Sequence, residues 1–335
     1  MARPERGIEV FQIHFNSRRS SNPVFHMPDA AVRAAFSRRP DLVGKIDFTT
    51  GWDLEGAALK TASMLVTSMQ VPRANLRDAA PLLRSIHFIG AGVEYLRPFN
   101  WVPKGITLTN NRGIHQQKAG EYILMCILML NSRMPELMNA QARCEWLPLF
   151  ADQLKGKVLL VVGAGQLGGA GAREAKRMGL HVIGIRRSGK PHRYCDEVFD
   201  QSHLHAVLPR ADFIVVSAPS TAATDRMIGR AEFALMKRTA GFLNFARAQL
   251  VNYAALADAL REGRLRGAIL DVFDPEPLPS DSPLWATPNL IITPHCSSDD
   301  LGRYIPLTLD LVLENAARLL YGRKLLNVVN LKLEY

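Results

Sequence analysis

The stretch "KVLLVVGAGQLG", residues 157–168, decides how the rest of this 335-residue chain is read. An apolar run fitting a buried strand, "KVLLVV" (157–162), passes directly into Gly163-Ala164-Gly165-Gln166-Leu167-Gly168, a GxGxxG turn that opens a helical pattern. In that setting each glycine has its own task. Gly163 permits the tight turn, Gly165 lets a pyrophosphate approach the backbone, and Gly168 allows the helix to pack closely on the strand. Amides and partial positive charge at the helix N-terminus would then face the phosphates. The stretch therefore predicts a dinucleotide site on a parallel sheet.

Working outward, further strands are expected at 181–185, 213–218, 241–246, 267–273 and 289–293, with intervening helices such as 252–265. Alternation of this kind is the pattern of a doubly wound sheet. The first third repeats it, with strands expected at 8–13, 63–67, 85–90 and 106–110 and helices at 29–39 and 77–85. Residues 115–143 read as one long helical segment interrupted near Pro135. A final helix at 301–322 is expected to return to the first unit. The fold class is α/β: two doubly wound, parallel-sheet, Rossmann-like domains with an active-site cleft between them.

The strand "HVIGI" (181–185) ends at Arg186, where a site preferring NAD carries Asp or Glu. A carboxylate there would accept bonds from the ribose hydroxyls and repel a 2′-phosphate. Arg186 does the reverse through its planar fork, with Arg187 and Ser188 adding contacts. NADP(H) is thus the preferred cofactor, with NAD(H) a possible one.

Composition narrows the class. The net charge of +10 is spread among acids, with no helix-turn-helix, zinc-finger or RNP pattern, which speaks against nucleic acid and suits anionic small molecules. The longest apolar run, "YILMCILML" (122–130), is too short to span a bilayer, and the opening residues carry no signal-peptide core. Cys126, Cys144, Cys195 and Cys296 are dispersed, suggesting free thiols and no metal site. A cytoplasmic, soluble protein is expected.

Three polar residues follow strands in the second half: Arg247 in "GFLNFAR", Glu276 in "DVFDPEPLP" and His295 in "NLIITPHCSS". All lie past carboxyl ends of strands, where open α/β sheets bind ligands. With "LNFARAQLVNYAALADALREGRLRGAILDVFDPEPLPSDSPLW", "PNLIITPHCSS" and, earlier in the chain, "IHFIGAGVEYL" and "LTNNRGIH", the sequence resembles the D-isomer-specific 2-hydroxyacid dehydrogenase family over nearly its whole length. "NNRGIH" and the arginines after the second strand resemble its NADPH-dependent glyoxylate/hydroxypyruvate reductases.

That resemblance implies a substrate-binding domain of residues 1–113, completed by 299–335, and an NAD(P)-binding domain of residues 114–298. It implies reduction of a small 2-keto acid to the D-2-hydroxy acid. His295 would be the acid, Glu276 would stabilise its imidazolium, and Arg247 would orient the substrate carboxylate and carbonyl. Backbone amides of Ala91 and Gly92 would hold the carboxylate. Asp271 would meet the nicotinamide carboxamide, while Ala218 and Pro219 would line the adenosine side. Trp146 has two readings, entry into a partner subunit's active site or ordinary packing, and the helix around 119–131 would be a homodimer face. His14, His87 and His115 are read as structural.

Two departures from the family pattern stand out. Ala248 replaces the glycine usual after the arginine, which would be strained at positive φ. The loop after the third strand of the second domain lacks the family's His-x-Pro-Leu-Thr form. Alternative functions are a nucleotide-sensing interaction protein of the same fold and a dehydrogenase of a bulkier 2-hydroxy acid. Glu276 stands where formate dehydrogenases of this fold carry Gln.

Overall fold

A computed structural model describes residues 10–16, 23–51, 54, 56–68 and 70–334. The chain divides into two units, Met1–Ile114 with Asp299–Tyr335, and His115–Ser298.

Among the described residues of the first unit five strands run parallel: β1 Phe11–Asn16, β2 Ile46–Gly51, β3 Met64–Thr67, β4 Ser85–Phe88 and β5 Thr107–Asn110, in the order β2-β1-β3-β4-β5. Successive side chains point to opposite faces, and both faces are covered, as a parallel sheet requires. Phe11, Ile13, Phe15, Met64 and Val66 pack on one side with Leu309, Val312 and Leu313 of the helix Tyr304–Leu320. Leu65, Ile86, Phe88 and Leu108 pack on the other with Leu59, Leu76 and Val329.

The pattern expected at 8–13 begins later, at Phe11; residues 8 and 9 lie outside the described residues. The sequence pattern does not reveal β2, because only Ile46 of its six residues is buried. The helix expected at 77–85 is only Leu76–Ala79, ending before Pro81, which lacks the amide a further turn needs.

The second unit holds seven parallel strands: β6 Val158–Val162, β7 His181–Ile185, β8 Glu197–Phe199, β9 Phe213–Val216, β10 Gly241–Asn244, β11 Gly267–Leu270 and β12 Leu290–Ile292. Their order is β12-β11-β10-β9-β6-β7-β8. The direction of winding reverses between β6 and β9, which opens a crevice at the carboxyl ends of those strands. Leu160 and Val162 face one buried cluster, Leu159 and Val161 the other. The three-residue β8 is too short to declare itself by periodicity.

The long segment at 115–143 forms two helices, Gln116–Asn131 and Met134–Ala142. Between them Arg133 adopts φ +60, and Pro135 sits in the first turn of the second helix. Among the described residues no helix is long and apolar enough to cross a membrane.

Candidate active site

The glycine turn follows β6, with the amides of Gly163 and Ala164 both donating to Ile185 O of the adjacent strand at 2.8 and 2.9 Å. Gly163 has φ +102, and a Cβ there would meet Ala218 N at 2.3 Å. A Cβ on Gly168 would strike Ser217 Oγ at 2.3 Å, whose hydroxyl donates to Gly163 O at 2.9 Å. These two glycines are required by the protein's own packing. Gly165 is different, since a Cβ on it would find only Gly163 O, at 3.9 Å. Its bare surface fits an incoming pyrophosphate rather than a protein neighbour. The helix Gln166–Arg177 starts just after it, with Gln166, Leu167 and Gly168 in its first turn. No side-chain cap or acidic residue stands there to compete with an anion. The turn therefore fits a dinucleotide.

At the end of β7, the Arg186 amide donates to Phe199 O at 3.0 Å, pinning the backbone beside β8. Among the described residues its guanidinium makes only long contacts, to the carbonyls of Lys190 and Pro191 at 3.5 and 3.4 Å. No carboxylate pairs with it among the described residues. Arg187 and Ser188 are exposed. His192 shows the local field: burial, then the charges of Arg186 and Arg193, hold its imidazole below the usual range. The His192 ring also lies where a Cβ on Gly169 would be, at 2.7 Å. Ala218 is buried and packs on Gly163, and the Pro219 carbonyl accepts the Thr224 hydroxyl at 2.7 Å.

Past β11 and β12 two catalytic candidates meet. His295 Nδ1 lies 2.7 Å from Glu276 Oε2. A carboxylate only accepts, so Nδ1 carries the proton of the neutral ring and Nε2 is its acceptor nitrogen. Glu276 is itself fixed, its Oε1 accepting the Phe273 amide at 2.7 Å. Both side chains retain solvent access, 45% and 36%. That leaves room for a reactant.

Arg247 comes from the loop after β10, the strand next to β11, and its Nη1 donates to Ala246 O at 2.6 Å. The loop is held from below by Asn244, whose Nδ2 donates to Arg247 O at 3.0 Å and to Tyr253 Oη at 2.9 Å. Tyr253 in turn donates to Val272 O at 2.7 Å, tying the Arg247 loop to the segment that leads to Glu276. Ala248 opens a short 3-10 turn and is absent from the positive-φ positions, so the methyl group that replaces the family's glycine brings no backbone strain.

Asp271, expected at a carboxamide, is fully buried. Its Oδ1 accepts the Thr293 hydroxyl at 2.6 Å and the Cys296 amide at 3.1 Å, and its Oδ2 accepts the Ser297 amide at 3.1 Å. Its visible task is to hold the turn that carries His295.

In the first unit, Ala91 and Gly92 follow β4 in a half-buried loop. Asn110 Nδ2 donates to Ala91 O at 2.7 Å, and the Asn111 amide donates to Gly90 O at 3.1 Å. Beneath the loop His87 is wholly buried, bonded to Thr109 Oγ1 and Asn111 Oδ1, both at 2.9 Å. Asn111 Nδ2 reaches Ile89 O and Thr308 Oγ1. His14 meets Thr49 Oγ1 at 2.8 Å, and His115 meets Ser298 O at 3.1 Å. Trp146 is 97% exposed and Phe150 87%.

Sequence reasoning passes over Asn244, Tyr253, Tyr122 and Thr293, and takes Ser217 only as part of the loop 217–221 expected at the adenosine side. Their signal is faint but present, since each is a hydroxyl or amide set in an otherwise apolar run.

The model of the "D-isomer specific 2-hydroxyacid dehydrogenase, NAD binding domain" family matches residues 124–297. A glyoxylate reductase of Korarchaeum cryptofilum is 30% identical over 250 residues, 72% of this chain and 74% of that protein. A D-3-phosphoglycerate dehydrogenase of Methanocaldococcus jannaschii is 32% identical over 301 residues, 86% of this chain but 56% of the relative's length. Among solved structures, a D-isomer specific 2-hydroxyacid dehydrogenase from Xanthobacter autotrophicus Py2 in complex with NADPH and MES matches with TM-score 0.83. It is 27% identical, and the match covers 97% of this chain and 100% of that one.

Proposed function

Because the chain belongs to the D-isomer specific 2-hydroxyacid dehydrogenase family, we propose that it is an NADPH-dependent reductase of small 2-keto acids of the glyoxylate or hydroxypyruvate kind. The observation that carries this reading is the 2.7 Å contact of His295 Nδ1 with Glu276 Oε2, in a unit that also holds the GxGxxG turn.

When bound, the reduced nicotinamide supplies a hydride to the substrate's carbonyl carbon. The protein's share is the proton and the geometry. His295 delivers a proton from Nε2 to the carbonyl oxygen, and Glu276 stabilises the positive ring before transfer. Arg247 pairs with the substrate carboxylate and polarises the carbonyl. In the first unit, Ala91 and Gly92 offer backbone amides suited to a carboxylate. Gly163, Gly165, Gln166, Leu167 and Gly168 would cradle the pyrophosphate of a bound dinucleotide, and Ala218 and Pro219 would line its adenosine side. Asp271 would reach the nicotinamide carboxamide through Oδ2, which takes a single donor among the described residues.

Arg186, with Arg187 and Ser188, selects the 2′-phosphate, supported by the absence of a carboxylate partner for Arg186 among the described residues. NADH serves as a poorer cofactor. The protein acts in the cytoplasm, its four cysteines unpaired, as a homodimer in which a second copy covers Trp146 and Phe150.

The deciding experiment mixes purified protein with NADPH or NADH and a panel of 2-keto acids, following loss of the reduced nicotinamide's absorbance. Turnover of glyoxylate or hydroxypyruvate with NADPH is expected. No turnover with any keto acid despite NADPH binding would favour a nucleotide-sensing role. Preference for a phosphorylated three-carbon acid would move the substrate towards the bulkier class.

A further inference from the structure

His295 sits in a backbone state that its surroundings must enforce. Its φ is +51, in the left-handed region that non-glycine residues adopt only at a cost, one that Asn, Asp and His meet more often than other side chains. The preceding Pro294 has no amide to contribute, and the His295 amide donates back to Thr293 O at 3.0 Å. The turn is closed from outside by Asp271, whose carboxylate takes the Thr293 hydroxyl on one flank of His295 and the Cys296 and Ser297 amides on the other.

One more hydroxyl completes the chain. Tyr122 Oη lies 2.7 Å from Thr293 Oγ1. Thr293 must spend its only proton on the Asp271 carboxylate, so Tyr122 is the donor to Thr293. Tyr122 belongs to the helix Gln116–Asn131, which packs behind the sheet, and its ring is buried against Phe245. Burial pushes its hydroxyl well above the ordinary tyrosine range, so the proton stays on it throughout the working range of pH.

We propose that Tyr122 and Thr293 are positioning residues for His295, acting through Asp271 to hold its turn in the left-handed state that presents Nε2. The inference rests on the reading of His295 as the proton donor. It adds that the acid's aim is set from a helix behind the sheet as well as by Glu276.

The test uses full-length Thr293→Val, Thr293→Ser and Tyr122→Phe. Valine keeps the shape and removes the donor to Asp271, while serine keeps the donor. Thr293→Val is expected to lower kcat about tenfold, because a small misplacement of an acid is costly. Tyr122→Phe should lower it about threefold, the NADPH Kd should stay within about twofold in both, and Thr293→Ser should restore kcat.

Hydrogen exchange of the peptide covering 293–298 gives a readout independent of turnover. The Cys296 and Ser297 amides should exchange faster in Thr293→Val than in wild type. Unchanged kcat together with unchanged exchange in folded Thr293→Val overturns the proposal, as does a kcat loss that Thr293→Ser fails to rescue. If the wild-type enzyme turns over no keto acid, the proposed reaction fails and exchange alone decides. Acceleration at Cys296 and Ser297 then supports the clamp, and none overturns it.

Discussion

The α-carbon of Gly163 faces the backbone of Ala218 so closely that a methyl group on it would come within 2.3 Å of the Ala218 nitrogen. Two residues on, the same methyl on Gly165 would meet nothing nearer than Gly163 O at 3.9 Å. One motif thus contains a glycine that the protein's own packing demands and a glycine that it does not. Gly163→Ala should destabilise the protein by about 3 kcal/mol through overpacking and left-handed strain. Gly165→Ala should melt within a few degrees of wild type yet bind NADPH at least about tenfold more weakly. Thermal melting and a fluorescence titration of NADPH check the pair. Equal losses of stability would remove the distinction.

Replacing His295 by Ala should cut kcat by about 10²–10⁴, the usual range for a lost general acid, with NADPH affinity nearly intact. Glu276→Gln keeps a hydrogen-bond acceptor for Nδ1 but removes the charge, and should cost less than His295→Ala. Steady-state kinetics with a matched cofactor titration tests both. Loss of cofactor binding in His295→Ala would mark the histidine as structural.

Reversing the charge at the end of β7 should invert cofactor preference. Arg186→Asp is expected to lower kcat/KM for NADPH about 100-fold, the scale of a charge-assisted pair to phosphate turned into a repulsion, with little loss for NADH. The ratio of the two kcat/KM values is the measurement. A proportional fall with both cofactors would remove Arg186 from the 2′-phosphate site.

Acid stability should carry the mark of His87. Burial pushes its ring down to about 4, against 6.5 for a free histidine, with the Asn111 hydrogen bond opposing only in part. Above about pH 6.5 neither state binds this proton and the group adds no slope. As pH falls from there towards about 4, the unfolded chain takes up a proton that the native ring refuses, and stability drops, by about 3 kcal/mol in all. Urea unfolding across that window, in wild type and in His87→Asn, should show the slope shrink in the variant. An unchanged slope would place the acid sensitivity elsewhere.

Trp146 and Phe150 should matter for assembly more than for folding. A Trp146→Ser, Phe150→Ser double variant is expected to shift the sedimentation profile towards monomer while leaving the melting curve of the isolated chain nearly unaltered. A monomeric wild type would dismiss the second copy altogether.

Much of the fold is legible in the residues, and for a physical reason. Strands buried on both faces, such as Val158–Val162 and His181–Ile185, must be apolar at their buried residues, so they stand out as runs. Ile46–Gly51 does not, because its side chains are mostly exposed and the burial that writes the pattern is missing. The pair Glu276 and His295 is legible because charged side chains past strand ends have little structural use. What holds them is harder to see. Tyr122 and Thr293 are 171 residues apart in sequence, and no local spacing rule relates a hydroxyl on a helix to one after a distant strand. Nor does composition tell that the glycine usual beside Arg247 is dispensable, since that depends on the φ Ala248 takes.

The division of the chain also bears on how it is made. Asn111 donates to Thr308, which follows it by 197 residues, and the whole of His115–Ser298 lies between them. A ribosome therefore releases every residue up to Arg303 while the opening sheet still lacks the helix Tyr304–Leu320 that seals one of its faces. By then every strand of the inserted unit has been synthesised in one uninterrupted stretch and can pair. The half that begins first is finished last, and its exposed face is what a chaperone would meet during translation.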